Sequence, residues 1–478
     1  MRELEPPNTR DDAAPGPEPA MPFVQEVLGR LSEGRVCYCV LRNYRCLPHG
    51  LGGTDLDLLV KAEDLETAFR MMCQAAPCHG GVCISGYRAE ALITSFCGRT
   101  AGVWWGVKID VFPGLTHRGV PFYDASDLLE RAPSWHGMPV APEGEASIIA
   151  LLKELLTNGA SRKDYDQLAA AEYAKNPVFY EQRLGDLFGS GAVAAFGQYL
   201  ARPGSPALMR TAARRMRWAL CWRAFCQQPL RVLATKIVGL GRRLRRLFRP
   251  PGIMLAVLGT DDTGRRSLIA RIRPVLEAAV HGHVHLRHLR PGLLPGRGPC
   301  PGGLNAEAPV ADAQPRGRLG GWKSLFRLAY YTLDYSLGYW ITIYPTLVKR
   351  PCAWIFDGDF HDFLVAPLDM GAALLQWVGS ALAFALPKPD VVICLGARIE
   401  ASRWRKPKLA AREFNRQASS ARGLCREDSR MVWIDTEGTP EEWADRVLSA
   451  VVARVSARYR TGRLPCTKPD QSSDAEPT

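Results

Sequence analysis

In the second half of the chain, apolar residues fall in short unbroken runs. Residues 253–258 (Ile-Met-Leu-Ala-Val-Leu) end at Gly259, and similar runs occupy 353–357, 390–395 and 431–435. Runs of this length without alternation predict strands buried on both faces, as in a parallel sheet, and the longer periodic stretches between them predict crossover helices. The first half is patterned differently. Residues 35–41 predict a strand, a polar turn fills 42–53, and 56–60 and 107–112 predict two further strands. The expected fold class is therefore α/β with two domains: an N-terminal mixed sheet with helices over 21–205, and a C-terminal doubly wound parallel sheet over 251–456.

Two stretches are apolar enough to raise the question of a membrane span. Residues 325–343 contain Arg327 and Asp334, and 371–386 falls short of the ~20 residues a span requires. Both are expected to be core helices. Between the two domains, 206–250 reads as a basic amphipathic helical linker: from Leu208 to Pro250 arginines and lysines interleave with leucines and tryptophans, and no Asp or Glu occurs. This local excess accounts for most of the net charge of +13 carried by 478 residues. Three readings of it stay open: a solvated helix packed on one domain, a contact with an anionic membrane surface, and a contact with nucleic acid. No specific nucleic-acid partner is expected, because the basic pI describes this patch and not the whole surface.

Composition sets the class. Hydrophobic residues make up 47% and charged residues 23%, as in globular proteins. Residues 1–20 and 457–478 are expected to be disordered tails. No basic region followed by an apolar segment opens the chain, so the expected location is cytoplasmic, with any membrane contact peripheral and on the inner face. The 14 cysteines are scattered through apolar runs, which predicts reduced thiols; Cys37 and Cys39 form a CxC pair with no second pair at zinc-ligand spacing.

Three constellations carry chemistry. Asp55 and Asp57 stand at the start of the 56–60 strand with the spacing that puts both carboxylates on one face, and Asp110 on the 107–112 strand is the third candidate for a shared divalent-cation site. Such a triad suits nucleotidyl transfer, with Asp57 as a catalytic carboxylate. Second, Gly259-Thr260-Asp261-Asp262-Thr263-Gly264-Arg265-Arg266-Ser267 follows a predicted strand and opens a helix. Gly259 and Gly264 have P-loop spacing, Arg265 occupies the place of the phosphate-binding lysine, and Ser267 occupies that of the magnesium-binding hydroxyl. Asp262 brings a carboxylate to the phosphate cradle, and arginine does not reproduce an ammonium point charge, so weakened ATP binding is expected. Third, His281, His283, His285 and His288 could face one side of a strand, either filling it or binding a transition metal.

Resemblances extend these readings. Val40-Leu41-Arg42-Asn43-Tyr44, then Leu47-Pro48 and Gly53-Thr54-Asp55-Leu56-Asp57-Leu58-Leu59-Val60, resemble an uncharacterised nucleotidyltransferase family with the pattern LRNY…LP…SDIDLLV. The Gly-Ser pair that usually precedes the first Asp is here Arg42-Asn43-Tyr44-Arg45, which makes Arg42 and Arg45 the substitute phosphate ligands. Residues 251–456 resemble thymidylate kinase-like proteins, in a branch where such a module comes first and which is met in bacterial polysaccharide gene neighbourhoods. The resemblance rests on the glycine loop, His288-Leu289-Arg290-Pro291, Leu333-Asp334-Tyr335, Phe356-Asp357, Pro387-Lys388-Pro389-Asp390 and Arg405-Lys406-Pro407. It implies a P-loop phosphotransferase using ATP and Mg2+ on an unidentified phosphate acceptor, linked to surface polysaccharide synthesis. Asp357 would be catalytic, and Arg403, Arg405 and Lys406 would face the phosphates from a lid. The family's Asp-Arg-Tyr is here Asp357-Gly358-Asp359, so the arginine that would hold an acceptor phosphate is missing. Two rival expectations are a scaffold that has lost both activities and an enzyme acting through the N-terminal Asp triad.

Overall fold

The computed structural model describes residues 18–460, except 162, 228, 260–261, 289–290, 292, 295–320, 359–386, 397–410 and 437. It divides into two compact units that meet in sequence at Arg245 and Arg246. No helix among the described residues is long and apolar enough to cross a membrane.

The first unit opens with helix α1 (Met21–Glu33), whose Phe23, Val24, Val27, Leu28 and Leu31 are buried at helical spacing. Strands β1 (Tyr38–Val40), β2 (Leu56–Val60), β3 (Gly81–Arg88), β4 (Leu92–Thr100) and β5 (Val103–Phe112) follow, with helix α2 (Leu65–Ala75) after β2. They form one sheet in the order β1-β2-β5-β4-β3. Only β2 and β5 run parallel; β1–β2, β4–β5 and β3–β4 are antiparallel. The mixed sheet is the expected one, with β3 and β4 added to it.

Alternation along the strands assigns its two faces. Leu56, Leu58, Val60, Ile109 and Val111 join the core built with α1 and α2. Leu59 and Phe112 belong to the opposite core, with the helices that follow. Asp57 and Asp110 therefore share the second face, since each is one residue out of phase with the first. After two short ribbons, β6–β7 (Thr116–His117 and Val120–Pro121) and β8–β9 (Ser134–Trp135 and Met138–Pro139), come α3 (Ala125–Glu130), α4 (Glu143–Thr157), α5 (Lys163–Lys175), α6 (Pro177–Phe188), α7 (Ser190–Ala201), α8 (Pro206–Gln227) and α9 (Pro229–Phe248). Asp124 caps α3 by accepting from the amides of Ser126 and Asp127.

In the basic stretch 206–250 the chain forms two helices, α8 and α9. α8 buries Ala212, Ala213, Met216 and Leu220 in the core of the first unit, so one of its faces is occupied by packing. At the edge of the described residues Ala20 is buried and Glu18 accepts a hydrogen bond from the Leu51 amide at 3.1 Å, which ties Glu18 to the turn before β2.

In the second unit, β10 (Ile253–Gly259) leads into α10 (Asp262–Ala279) and β11 (Val284–His288). α11 (Gly321–Gly338), a π-turn over Tyr339–Ile343 and α12 (Tyr344–Lys349) come next. The unit closes with β12 (Ala353–Asp357), β13 (Val391–Gly396), α13 (Ala411–Glu427), β14 (Met431–Asp435) and α14 (Pro440–Arg460). The five strands are all parallel in the order β11-β12-β10-β13-β14. This is the expected doubly wound sheet. The chain moves from β10 to one side and then crosses to the other, so the switch point falls beside β10, where such folds bind ligands at the strand C-termini. Among the described side chains of α11, Phe326, Leu333 and Leu337 are exposed, while Tyr335 and Asp334 are buried and Asp334 accepts from the Leu294 amide at 2.7 Å. Residues 371–386 lie outside the described residues. α14 runs through Arg460, into the expected tail.

Phe23, Phe96 and Trp105 form the aromatic centre between α1 and the first sheet, with Phe23 ring centroids 5.0 Å from both partners. Truncating Phe96 to alanine should destabilise the first unit by about 3–5 kcal/mol, the range for deleting a fully buried phenylalanine ring. In a urea titration the transition of the first unit should move to lower denaturant while that of the second stays in place.

Candidate functional site

The approach to the acidic cluster is made by Gly52 and Gly53, with φ of 61° and 71°. These left-handed positions suit glycine and turn the chain into β2. Asp55 and Asp57 then lie two residues apart, and the β2–β5 register pairs Asp57 directly with Asp110. Parallel pairing in register sets both side chains on the same face of adjacent strands. The three carboxylates are buried, and one oxygen from each lies within 4.8 Å of the others. This is the only such group of three among the described residues.

Three buried acids this close repel one another, and two cations hold them. Lys108, two residues before Asp110 on β5, donates from Nζ to Asp55 Oδ2 and to Asp110 Oδ2, both at 2.8 Å. Arg42, just after β1, donates from Nε to Asp57 and lies 3.6 Å from Asp55 through Nη2. Its Nη1 donates to the Tyr165 hydroxyl of α5 at 2.9 Å. Charge is still not balanced, with three carboxylates facing two cations. Asp57 Oδ1 and Asp110 Oδ1 are buried without a hydrogen-bond partner, although buried polar atoms ordinarily have one.

The electrostatics follow from this surplus. Burial, with Asp57 and Asp55 nearby, pushes the Asp110 carboxyl up to about 6 against the opposing pull of Lys108. For Lys108 burial acts downward, but the attraction of Asp110 and Asp55 outweighs it and the ammonium is held above its ordinary range. Arg42 is likewise pushed up, with Asp57 overriding the desolvation.

The sequence signal led to Asp55, Asp57 and Asp110, and the structure brings the three together. Of the two arginines offered as phosphate ligands, Arg42 joins the cluster; Arg45 pairs instead with Glu143 on α4. Lys108 was missed, although its place two residues before Asp110 on a strand puts it on the same face. Tyr165 was missed as well, and no local pattern marks it.

In the second unit, Gly259 ends β10 where a Cβ would come within 3.1 Å of the Leu395 Cβ on β13, so a side chain there would need β13 to give by a few tenths of an ångström. Thr260 and Asp261 lie outside the described residues. Gly264 and Arg265 are buried in the first turns of α10, Ser267 is half-buried and Arg266 is exposed. The Arg265 side chain lies against Asp357, with Nε 3.2 Å from Oδ1. Asp357, only 1% exposed at the end of β12, also has His288 Nδ1 at 3.4 Å from Oδ2. The cation standing in for the P-loop lysine is thus engaged by the protein's own carboxylate. Arg403, Arg405 and Lys406 lie outside the described residues. The histidines do not converge: His285 stacks on Trp354 at 4.6 Å, His283 Nε2 lies 3.1 Å from Arg350, and only His288 reaches Asp357. Burial and two nearby arginines lower the His285 pKa, which keeps the ring neutral where it packs on Trp354.

No family model matches the chain, and no curated protein matches it. Among solved structures, the thymidylate kinase from Ehrlichia chaffeensis is 12% identical, with 42% of this chain and 98% of that chain covered and a TM-score of 0.29. A likeness at that score bears no weight, so the α/β fold rests on the strand order and register above.

The raised Asp110 carboxyl has a pH signature. Its folded form binds a proton more tightly than an unfolded aspartate, so folding takes up a proton there and the contribution of Asp110 to stability falls as pH rises. In chelator-containing buffer, the stability of wild type relative to Asp110→Asn should decline from about pH 4, the ordinary carboxylate value, to about pH 6 and then level off. Unfolding free energies that keep a constant difference across this range would count against the assignment.

Proposed function

We propose that the first unit is a divalent-cation-dependent nucleotidyl-transfer module, taking a nucleoside triphosphate and a hydroxyl-bearing acceptor. One observation carries the reading: Asp57 and Asp110 each keep a buried, unpartnered oxygen on the same sheet face although two cations already serve the cluster. Hard oxygen donors of this kind fit Mg2+ or Mn2+. Asp57 and Asp110 are the residues that would hold the ion, with Asp55 completing the set. A bound divalent cation would supply charge neutralisation for a triphosphate.

The chain's own groups account for the rest. Lys108 and Arg42 put two positive charges beside the carboxylates, where phosphate oxygens need them, and Asp55, linked to both, fixes where those charges stand. Tyr165 restrains the Arg42 guanidinium from the helical layer. In the reaction, an acceptor hydroxyl oxygen would bond to the α-phosphorus as the bond to the pyrophosphate oxygen breaks, and the hydroxyl proton would pass to the unpartnered Oδ1 of Asp57. Calorimetry with Mn2+ tests the site, and release of pyrophosphate from a panel of nucleoside triphosphates tests the reaction. Asp57→Asn should abolish both, and Arg265→Ala should leave both intact. Retention of Mn2+ binding by Asp57→Asn would end the reading.

A second reading, a P-loop phosphotransferase using ATP and Mg2+, is supported by the meeting of Arg265, Asp357 and His288 at the strand C-termini of the second unit, and its link to surface polysaccharide synthesis comes from the resemblance alone. Here the loop's altered residues would set the affinity. Replacing Asp262 by glycine removes a like charge, and replacing Arg265 by lysine exchanges a guanidinium tied to Asp357 for a compact ammonium. The double variant should bind ATP about ten- to a hundredfold more tightly in Mg2+, the scale of one charged hydrogen bond. Unchanged affinity would leave the second unit as a scaffold.

A further inference from the structure

Helix α9 is amphipathic in the reverse sense to a helix of a protein interior. Leu230, Leu233, Ile237, Leu240, Leu244 and Leu247 recur at alternating intervals of three and four, which gathers them on one narrow face. That face is turned to solvent: Leu230 is 81% exposed, Ile237 62% and Leu240 58%. The contacts α9 makes with the body of the first unit come from the other side. Thr235 lies against Gly119, and Arg242 donates from Nη1 to the Ala89 carbonyl at 3.1 Å. Burial there lowers the Arg242 pKa. The polar side faces the protein and the leucines face outward, the opposite of what packing in water favours.

Exposed cations border the leucine face. Lys236, Arg243 and Arg245 are exposed, and no acid occurs anywhere in α8 or α9. On α8, Trp218, Trp222 and Phe225 are exposed at helical spacing, and the two indoles stack with centroids 5.5 Å apart. Aromatic rings of this kind suit a membrane–water boundary.

We propose that the apolar face of α9, with its basic border, is an interfacial anchor that lies in an anionic lipid surface. Charge decides between the occupants. A seam between two copies of α9 would fit the leucine spacing, but Lys236 and Arg243 flank it and have no acid to meet, so a second copy brings only repulsion. A nucleic acid would use the cations and leave the leucines in water. An anionic bilayer satisfies both, accepting leucines among its acyl chains and cations among its headgroups. This anchor is independent of either activity proposed above.

Flotation of the full-length chain with vesicles tests it. Binding is expected to phosphatidylglycerol-containing vesicles and not to pure phosphatidylcholine, and to weaken as salt rises from about 0.1 to about 1 M and the screening length shortens from ~10 to ~3 Å. Lys236→Gln/Arg243→Gln should lower the affinity roughly thirtyfold, at about 1 kcal/mol per headgroup-facing charge. Leu240→Asp/Leu244→Asp should remove flotation while circular dichroism and melting stay as in wild type, since both side chains are exposed. Failure to float with either vesicle, equal flotation with both, or flotation unaffected by the aspartates would overturn the proposal. So would a concentration-dependent dimer in sedimentation velocity that the aspartates dissolve, which would make the occupant a second copy. Duplex DNA that displaces the chain from vesicles, and whose binding ignores the aspartates, would make it a nucleic acid.

Discussion

Three carboxylates buried on one face of a sheet cannot stay ionised without positive charge beside them, and the first unit is arranged around meeting that need. Lys108 comes from the same strand as Asp110, Arg42 from just past β1 on the far side of β2, and Tyr165 from the helical layer that covers the face. The parallel pairing of β2 and β5 in an otherwise antiparallel sheet is what sets Asp57 opposite Asp110. A one-residue slip would send one of them to the α1 side, among Phe23, Phe96 and Trp105. The apolar alternation of Leu56, Leu58 and Val60 against Ile109 and Val111 therefore holds the acids in place as much as it builds the core.

The second unit meets the same physical demand in a smaller way. Asp357 is a buried carboxylate at a strand end, with Arg265 and His288 as its neighbours. In both units a buried lysine or arginine is engaged by an aspartate of the chain. Opposite charges in a poorly solvated setting attract strongly, and a partner on the same chain is always present.

What could be read in advance follows from how local each signal is. The parallel sheet was legible because unbroken runs such as 253–258 and 391–395 have no other stable home than a strand buried on both sides. Asp55 and Asp57 were legible from a spacing of two, and Asp110 from its apolar neighbours. Lys108 lay in the same run and obeys the same period, but a single lysine on a strand ordinarily faces solvent, and only the pairing of β2 with β5 shows that it does not. Tyr165 lies far along the chain, and its contact with Arg42 depends on how α5 crosses the sheet. Hydropathy alone does not show that in α11 Asp334 is buried beside Tyr335 while Leu333 and Leu337 are exposed, because the Asp334 carboxylate accepts from the Leu294 amide, a contact set by the tertiary fold. It also could not separate α8 from α9, since composition is alike in the two and only tertiary contacts tell which stripe is covered.

The ammonium of Lys108 has a consequence for how the first unit can change over evolutionary time. In proteins whose fold is assembled around a metal, the empty site is a knot of repelling ligands, and losing the ion means unfolding. Here a side chain from the same strand stands among the carboxylates and joins two of them. The charge of the cluster is thus met in part from within the strand itself, so the sheet can tolerate change in the elements around the cluster as long as β5 keeps its lysine.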